Sequence, residues 1–164
     1  MTLKASLKSK THAVFLKKSA ATRTITKKTN GADIFLGAVV TIYGEGNAYD
    51  IDLCAEDEPI FGIVSGAADD ATDLDNDSDD CFADNINVLV TIPVPGDVFY
   101  CVTKQNVTVT YGIMLQADGG FVEDTDFATP TTQINVPWYN CVGMALEAST
   151  HVTSKEEYIQ VMKV

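Results

Sequence analysis

Apolar and polar positions alternate in Ile51-Asp52-Leu53, in Ile86-Asn87-Val88-Leu89-Val90-Thr91-Ile92 and in Val107-Thr108-Val109-Thr110-Tyr111. A period of two is that of a strand with one face toward a core. Helical periodicity is largely absent. Residues 34–42, 60–65, 97–103, 113–116, 133–136, 141–147 and 158–162 add further predicted strands, because they are rich in Val, Ile, Thr and aromatic side chains. Gly44-Glu45-Gly46-Asn47, Pro93-Val94-Pro95-Gly96-Asp97 and Asp118-Gly119-Gly120 supply turn chemistry between them. About ten short strands separated by turns predict an all-β chain, folded as a compact sandwich or a barrel-like domain.

The chain also echoes itself. Phe35-Leu36-Gly37-Ala38-Val39-Val40 resembles Thr110-Tyr111-Gly112-Ile113-Met114-Leu115, and Phe61-Gly62-Ile63-Val64-Ser65-Gly66 resembles Val142-Gly143-Met144-Ala145-Leu146-Glu147. Two readings are open: a strand plan used twice, or chance recurrence of aromatic-Gly-aliphatic strings. Under either one, a glycine within a strand predicts a bulge or a close approach of another backbone.

Composition places the 164 residues in one domain of ordinary size, since 46% are apolar and no run is long enough to span a membrane. The start of the sequence has no continuous apolar signal-peptide core, so a soluble, non-secreted protein is expected. Charge divides the chain further. The net charge of −12 hides eight basic residues and no acid in residues 1–30, against three basic and 23 acidic residues in 31–164. The expected organisation is therefore a basic extended arm, 1–30, and an acidic body, 31–164, with an acidic loop at 66–86. An isolated segment such as the arm cannot order itself. It calls for a partner: the acidic body of a neighbouring copy, the surface of a larger assembly, or a sheet edge that accepts it as a strand. Direct nucleic-acid binding fits less well, because the body would repel the same polyanion and the arm has a single aromatic, Phe15. A transit peptide and a solvated tail are the other readings.

Asp69, Asp70, Asp73, Asp75, Asp77, Asp79, Asp80 and Asp84 crowd into one stretch without a basic residue. Asp73, Asp75, Asp77, Asp79 and Asp84 follow the alternation and twelfth-position spacing of a calcium loop, in which carboxylate oxygens converge on one hard cation. Ser78 stands where such loops turn on glycine, and Asp84 is shorter than the usual bidentate Glu. A calcium site, a loop that attracts cations without specificity, and a plain solvated loop are the alternatives.

Enzyme chemistry is hard to place. His12 and His151 are the two histidines, and phosphate-binding, dinucleotide and nucleophile-elbow motifs are absent from the sequence. No enzyme and no cofactor other than calcium is expected. Trp138 and Tyr139 fit a core or interface position better than a sugar platform. Cys54, Cys101, Cys81 and Cys141 form no C-x-x-C pair and read as unpaired thiols in a reducing compartment, with Cys101 in a strand as a small buried apolar group.

Gly31-Ala32-Asp33-Ile34-Phe35-Leu36-Gly37-Ala38-Val39-Val40, Phe61-Gly62-Ile63-Val64, Pro95-Gly96-Asp97-Val98 and Val142-Gly143-Met144-Ala145-Leu146-Glu147-Ala148 together resemble the small β-rich head decoration, or capsid cement, proteins of tailed bacteriophages. The resemblance spans roughly residues 31–150. It implies a β-tulip or jelly-roll type of body on the outer surface of a virion, commonly a homo-trimer, made in the host cytoplasm and bridging major capsid protein subunits to stabilise the head. It implies neither catalysis nor contact with membrane or nucleic acid. The arm residues Lys4, Lys8, Lys10, Phe15, Lys17, Lys18, Arg23, Lys27 and Lys28 are then the expected capsid contacts. From another class, the alternative is a calcium-dependent binding or adhesion module built on the 73–84 loop.

Overall fold

The structure, a computed structural model, describes residues 14–31, 34–44, 50–68, 81–82, 84–125, 138–150 and 157–164. Its strands are β1 (Phe15–Lys17), β2 (Arg23–Lys28), β3 (Ile34–Phe35), β4 (Val39–Tyr43), β5 (Asp50–Leu53), β6 (Gly62–Ala67), β7 (Cys81–Phe82), β8 (Asn87–Ile92), β9 (Val98–Val102), β10 (Thr108–Val109), β11 (Met114–Asp118), β12 (Phe121–Asp124), β13 (Cys141–Ala145), β14 (Ser149–Thr150) and β15 (Tyr158–Met162). A single 3₁₀ turn, Trp138–Asn140, is the one helical element among the described residues. The protein is all-β, as the alternation predicts.

One sheet has six strands in the order β1-β9-β15-β13-β11-β12, and a second has five in the order β2-β8-β6-β4-β5. Two short pairs, β3 with β7 and β10 with β14, complete the pairing. Those orders express a duplication. Strands β2 to β8 and strands β9 to β15 are two seven-strand units with the same pairings: first with last, last with fifth, fifth with third, third with fourth, and second with sixth. The β1 strand stands outside this repeat and adds to β9.

Hydrogen bonds match between the units residue for residue. Gly37 N donates to Val64 O and Gly112 N to Ala145 O; Val64 N donates to Ala38 O and Ala145 N to Ile113 O. The weak sequence echo is therefore a strand plan used twice. In both units the Gly37 or Gly112 turn, at φ 83° and 80°, needs the left-handed conformation that glycine tolerates. That turn divides the predicted 34–42 strand into β3 and β4. The second glycine of each echo is a site of close approach. A Cβ on Gly62 would lie 2.6 Å from Val90 Cγ1, and one on Gly143 would strike the Met162 carbonyl. At Gly143 the pairing with β11 is also bulged.

Both units curl. Thr29 bridges to Ile51 of β5, and Thr103 bridges to Val122 of β12, which draws the first strand of each unit toward its far edge. These threonines are buried, and their hydroxyls are used: Ile86 N donates to Thr29 Oγ1, and Thr103 Oγ1 donates to Glu157 O. A single bridge is not a continuous ladder, so each sheet stays open and the architecture is sandwich-like.

Two apolar clusters follow from this curl. One gathers Phe15, Phe99, Cys101, Leu115, Val142, Ile159 and Val161 from the six-stranded sheet with Val39 and Ile63 from the five-stranded sheet. The other lies around Phe35, Val40, Ile51, Val64, Phe82, Val88 and Val90 of the first unit, joined by Val102 of β9. Neighbours Val39 and Val40 enter different clusters, as do Ile63 and Val64, because successive side chains point to opposite faces and both faces are covered. This accounts for the consecutive apolar residues in β4 and β6. Leu36 and Tyr158 pack against both clusters, and Tyr158 donates its hydroxyl to Leu36 O at 2.8 Å.

The expected boundary at residue 30 requires correction. Residues 14–30 belong to the body: β1 pairs with β9 and β2 with β8 of the same chain. Of the predicted strands, 133–136 lies outside the described residues.

Candidate docking surface

Residues 15–28 run as one antiparallel companion along residues 87–99. After a bulge between Phe15 and Lys17, Lys17 stands opposite Val98, Arg23 opposite Ile92 and Lys28 opposite Asn87, so from Lys17 onward the register is kept in step while residues 87–99 cross from one sheet to the other. At the crossing, the turn of Val94-Pro95-Gly96-Asp97 closes with Asp97 N donating to Val94 O at 3.0 Å. The Asp97 side chain then receives Ser19 N at 2.6 Å, Thr22 Oγ1 at 2.5 Å and Val94 N at 3.0 Å. Asp97 is fully buried. Burial raises its pKa, but the hydrogen bonds from Thr22, Val94 and Ser19, with Lys18 nearby, outweigh that and hold the carboxyl below its ordinary value.

The strap presents charge outward. Lys17, Lys18, Arg23 and Lys28 are exposed on or beside the edge strands of the two sheets. Lys27 is half-buried, with its ammonium 5.7 Å from the centre of the Phe61 ring, a cation–π distance. Phe15 differs from its expected role. It is 9% exposed and its ring lies 5.1 Å from that of Phe99, so it anchors the strap inside the core and offers no surface to a partner. Lys4, Lys8 and Lys10 lie outside the described residues.

Of the candidate calcium ligands, Asp73, Asp75, Asp77 and Asp79 lie outside the described residues. Asp84 is described, and its Oδ1 accepts from Gly31 N at 2.8 Å. It thereby pins the chain just after the Thr29 bridge. Among the described residues no group of three or more His, Cys, Asp or Glu side chains is placed to hold a metal ion. Among the described residues, Lys104 forms an ion pair with Asp118, joined by Glu123 at 3.3 Å.

Asn140 ties the second unit to the first. Its amide donates to Ala55 O at 2.8 Å and Glu58 O at 2.9 Å, and its Oδ1 accepts from Ala117 N at 2.7 Å. The adjacent Tyr139 is 39% exposed and accepts Ile60 N on its carbonyl. Cys54 and Cys101 are buried, and burial pushes the Cys54 thiol up to about 12, with Glu58 and Asp57 adding to it. Cys101 is raised by burial alone. Burial thus favours the protonated thiol at both positions.

Sequence reasoning missed the role of Asp97 and Asn140, since both act through partners distant in the chain. It also read β2 as part of an arm, although the β-branched run Thr24-Ile25-Thr26 carries a strand signal.

No family model matches the chain, and no curated protein matches it. Among solved structures, the fold is similar to the crystal structure of the N base of the head fiber protein gp8.5 of bacteriophage phi29, with a TM-score of 0.52 and 11% identity. The match covers 87% of this chain and 98% of that one. At this identity, what the two share is the fold.

Proposed function

We propose that this protein is a structural component of a bacteriophage virion, carried on the head. The observation that supports the reading most is the fold shared with a head fiber base along nearly the whole of both chains. The sequence resemblance to head decoration proteins points the same way. On this reading the acidic body sits on the outer surface of the capsid and stabilises it by bridging major capsid protein subunits, as a homo-trimer and without catalysis.

The anchoring surface is the basic strap. Phe15 and Asp97 fix the strap to the body, and Lys17, Lys18, Arg23 and Lys28 lie on its exposed side. These side chains steer and orient the protein on an acidic patch of the shell, while apolar burial supplies most of the affinity. A rigid strap serves this better than a free tail, because less conformational entropy is lost on docking.

Co-sedimentation of the purified protein with phage heads lacking it tests the proposal. Saturable binding at a fixed number of copies per head, with density on the outer shell in cryo-EM, is the expected result. Failure to enrol in any head would remove it. Charge reversal at Arg23 and Lys28 should weaken binding in a salt-dependent way.

A further inference from the structure

We infer that a cross-strand row on the outer face of the six-stranded sheet, Val98, Met162, Met144 and Met114, is the apolar half of the docking surface. Its occupant is a surface of the virion's shell protein that carries an apolar ridge with carboxylates at one end. The inference rests on the virion reading and supplies the apolar contact that the basic strap alone does not.

Register makes the row. Met114 stands opposite Met144, Met144 opposite Met162, Met162 opposite Val98 and Val98 opposite Lys17. Residues directly opposite one another in antiparallel strands share a face of the sheet. Their chain neighbours Leu115, Ala145, Val161 and Phe99 are wholly buried in the core on the inner face, so the row points outward. Val98, Met162, Met144 and Met114 are half-buried there. At the usual strand spacing the row runs about 19 Å from Met114 to Lys17.

The outer face of a solvated antiparallel sheet ordinarily alternates to polar residues. Here three neighbouring positions hold every methionine of the sequence after Met1. The duplication supplies the contrast. In the first unit the equivalent pair is Val39 opposite Ile63, and both are wholly buried in the cluster shared with the six-stranded sheet. Stiff β-branched side chains suit that fixed contact. Methionine is unbranched and polarizable, adapts to the surface it meets, and is enriched at protein interfaces. The turn before Met114 repeats the contrast: Leu36 packs against both clusters, whereas its counterpart Tyr111 is 69% exposed.

Charge selects the occupant. The row ends at Lys17, followed by Lys18, and both are exposed, so apolar contact and positive charge are continuous. Leu16, in the bulge beside Lys17, is 48% exposed and extends the apolar part. A second copy laid row on row is disfavoured by a net charge of −12 on each chain. A different protein that offers apolar side chains beside carboxylates meets both halves of the surface.

Methionine oxidation reads the contact directly, because peroxide converts an accessible thioether to the sulfoxide. The full-length protein is treated with hydrogen peroxide, free and bound to phage heads lacking it, and each methionine is followed by mass spectrometry. Met114, Met144 and Met162 should oxidise readily in the free protein and at least about tenfold more slowly on heads. Met144→Glu should bind heads at least about tenfold more weakly at an unchanged melting temperature, and Met144→Leu should bind as the wild type does. If the wild type binds heads but the three methionines oxidise as fast as before, or Met144→Glu binds equally well, this inference is overturned and the virion reading stands. If the wild type binds no head, both fall. Protection already present in the dilute free protein, or appearing as the protein alone is concentrated, also overturns the inference, since its own chain or a second copy would then cover the row.

Discussion

Thr22 donates its hydroxyl to the buried carboxylate of Asp97 at 2.5 Å across 75 residues of sequence. With Ser19 N on the other oxygen, it closes the chain around the point where the two seven-strand units are joined. Asp97 also sits in the connection between β8 and β9, so one carboxylate holds the strap, the turn and the sheet-to-sheet crossing together.

Asp97→Ala should destabilise the protein by about 2–4 kcal/mol, because it leaves buried donors from Ser19, Thr22 and Val94 without an acceptor. The contribution depends on pH. The folded pKa lies below the ordinary 3.8, so the stabilisation is fully present above that value and is lost as the pH falls through the lowered folded value. Urea denaturation of the wild type and Asp97→Asn from neutral pH downward should show a gap between them that narrows only in this acidic window.

Truncation separates a free tail from an integral strap. Deleting residues 2–30 removes β1 and β2 and uncovers Phe99 and the β8 edge, so the remainder should melt far lower or aggregate. The single change Phe15→Ala should cost about 3–5 kcal/mol by the same loss of core packing. Thermal melts decide the point: unchanged stability in both would show that the strap contributes nothing to the fold.

Gly143→Ala should be more damaging than Gly96→Ala for steric reasons. A Cβ at Gly143 meets the backbone of Met162 and lies 2.9 Å from Val161 Cγ1, whereas one at Gly96 has nothing within 4 Å. The expected cost at Gly143 is about 1–3 kcal/mol from overpacking, read as a lowered denaturation midpoint.

Asn140→Leu keeps the volume but abandons three hydrogen-bond partners, Ala117 N, Ala55 O and Glu58 O. A loss of about 2–4 kcal/mol is expected. Equal stability of the two proteins in guanidinium would show that these groups find other partners.

Cys54 and Cys101 should resist thiol reagents in the native protein at mildly alkaline pH and react only on unfolding. Both are buried, and the Cys54 pKa of about 12 leaves almost no thiolate. Mass spectrometry of alkylated native protein gives the answer, and rapid labelling of either would contradict the buried placement.

Much of the fold was legible because strands announce themselves locally. The period of two in residues 86–92 and the β-branched run of residues 158–162 became β8 and β15, and Asp118-Gly119-Gly120 became the two-residue turn between β11 and β12. Even the duplication left a trace, because the same turn and the same close approach demand glycine in both units. The docking surface was legible only as charge. Lys17, Lys18, Arg23, Lys27 and Lys28 stood out as a basic run, but a run says nothing of where its backbone goes.

By itself, then, the sequence determined the all-β class, most strand positions, the turns at residues 93–97 and 118–120 and the separation of basic from acidic residues, while it left the repeated strand plan open. Tertiary structure decided that Arg23–Lys28 is the edge of a sheet, that Phe15 is core and that Asp97 is a buried clamp. The reason is the range of the forces. Side-chain alternation and turn stereochemistry act within a few residues, whereas an edge strand with few apolar side chains is stabilised by a partner that only the folded chain brings beside it.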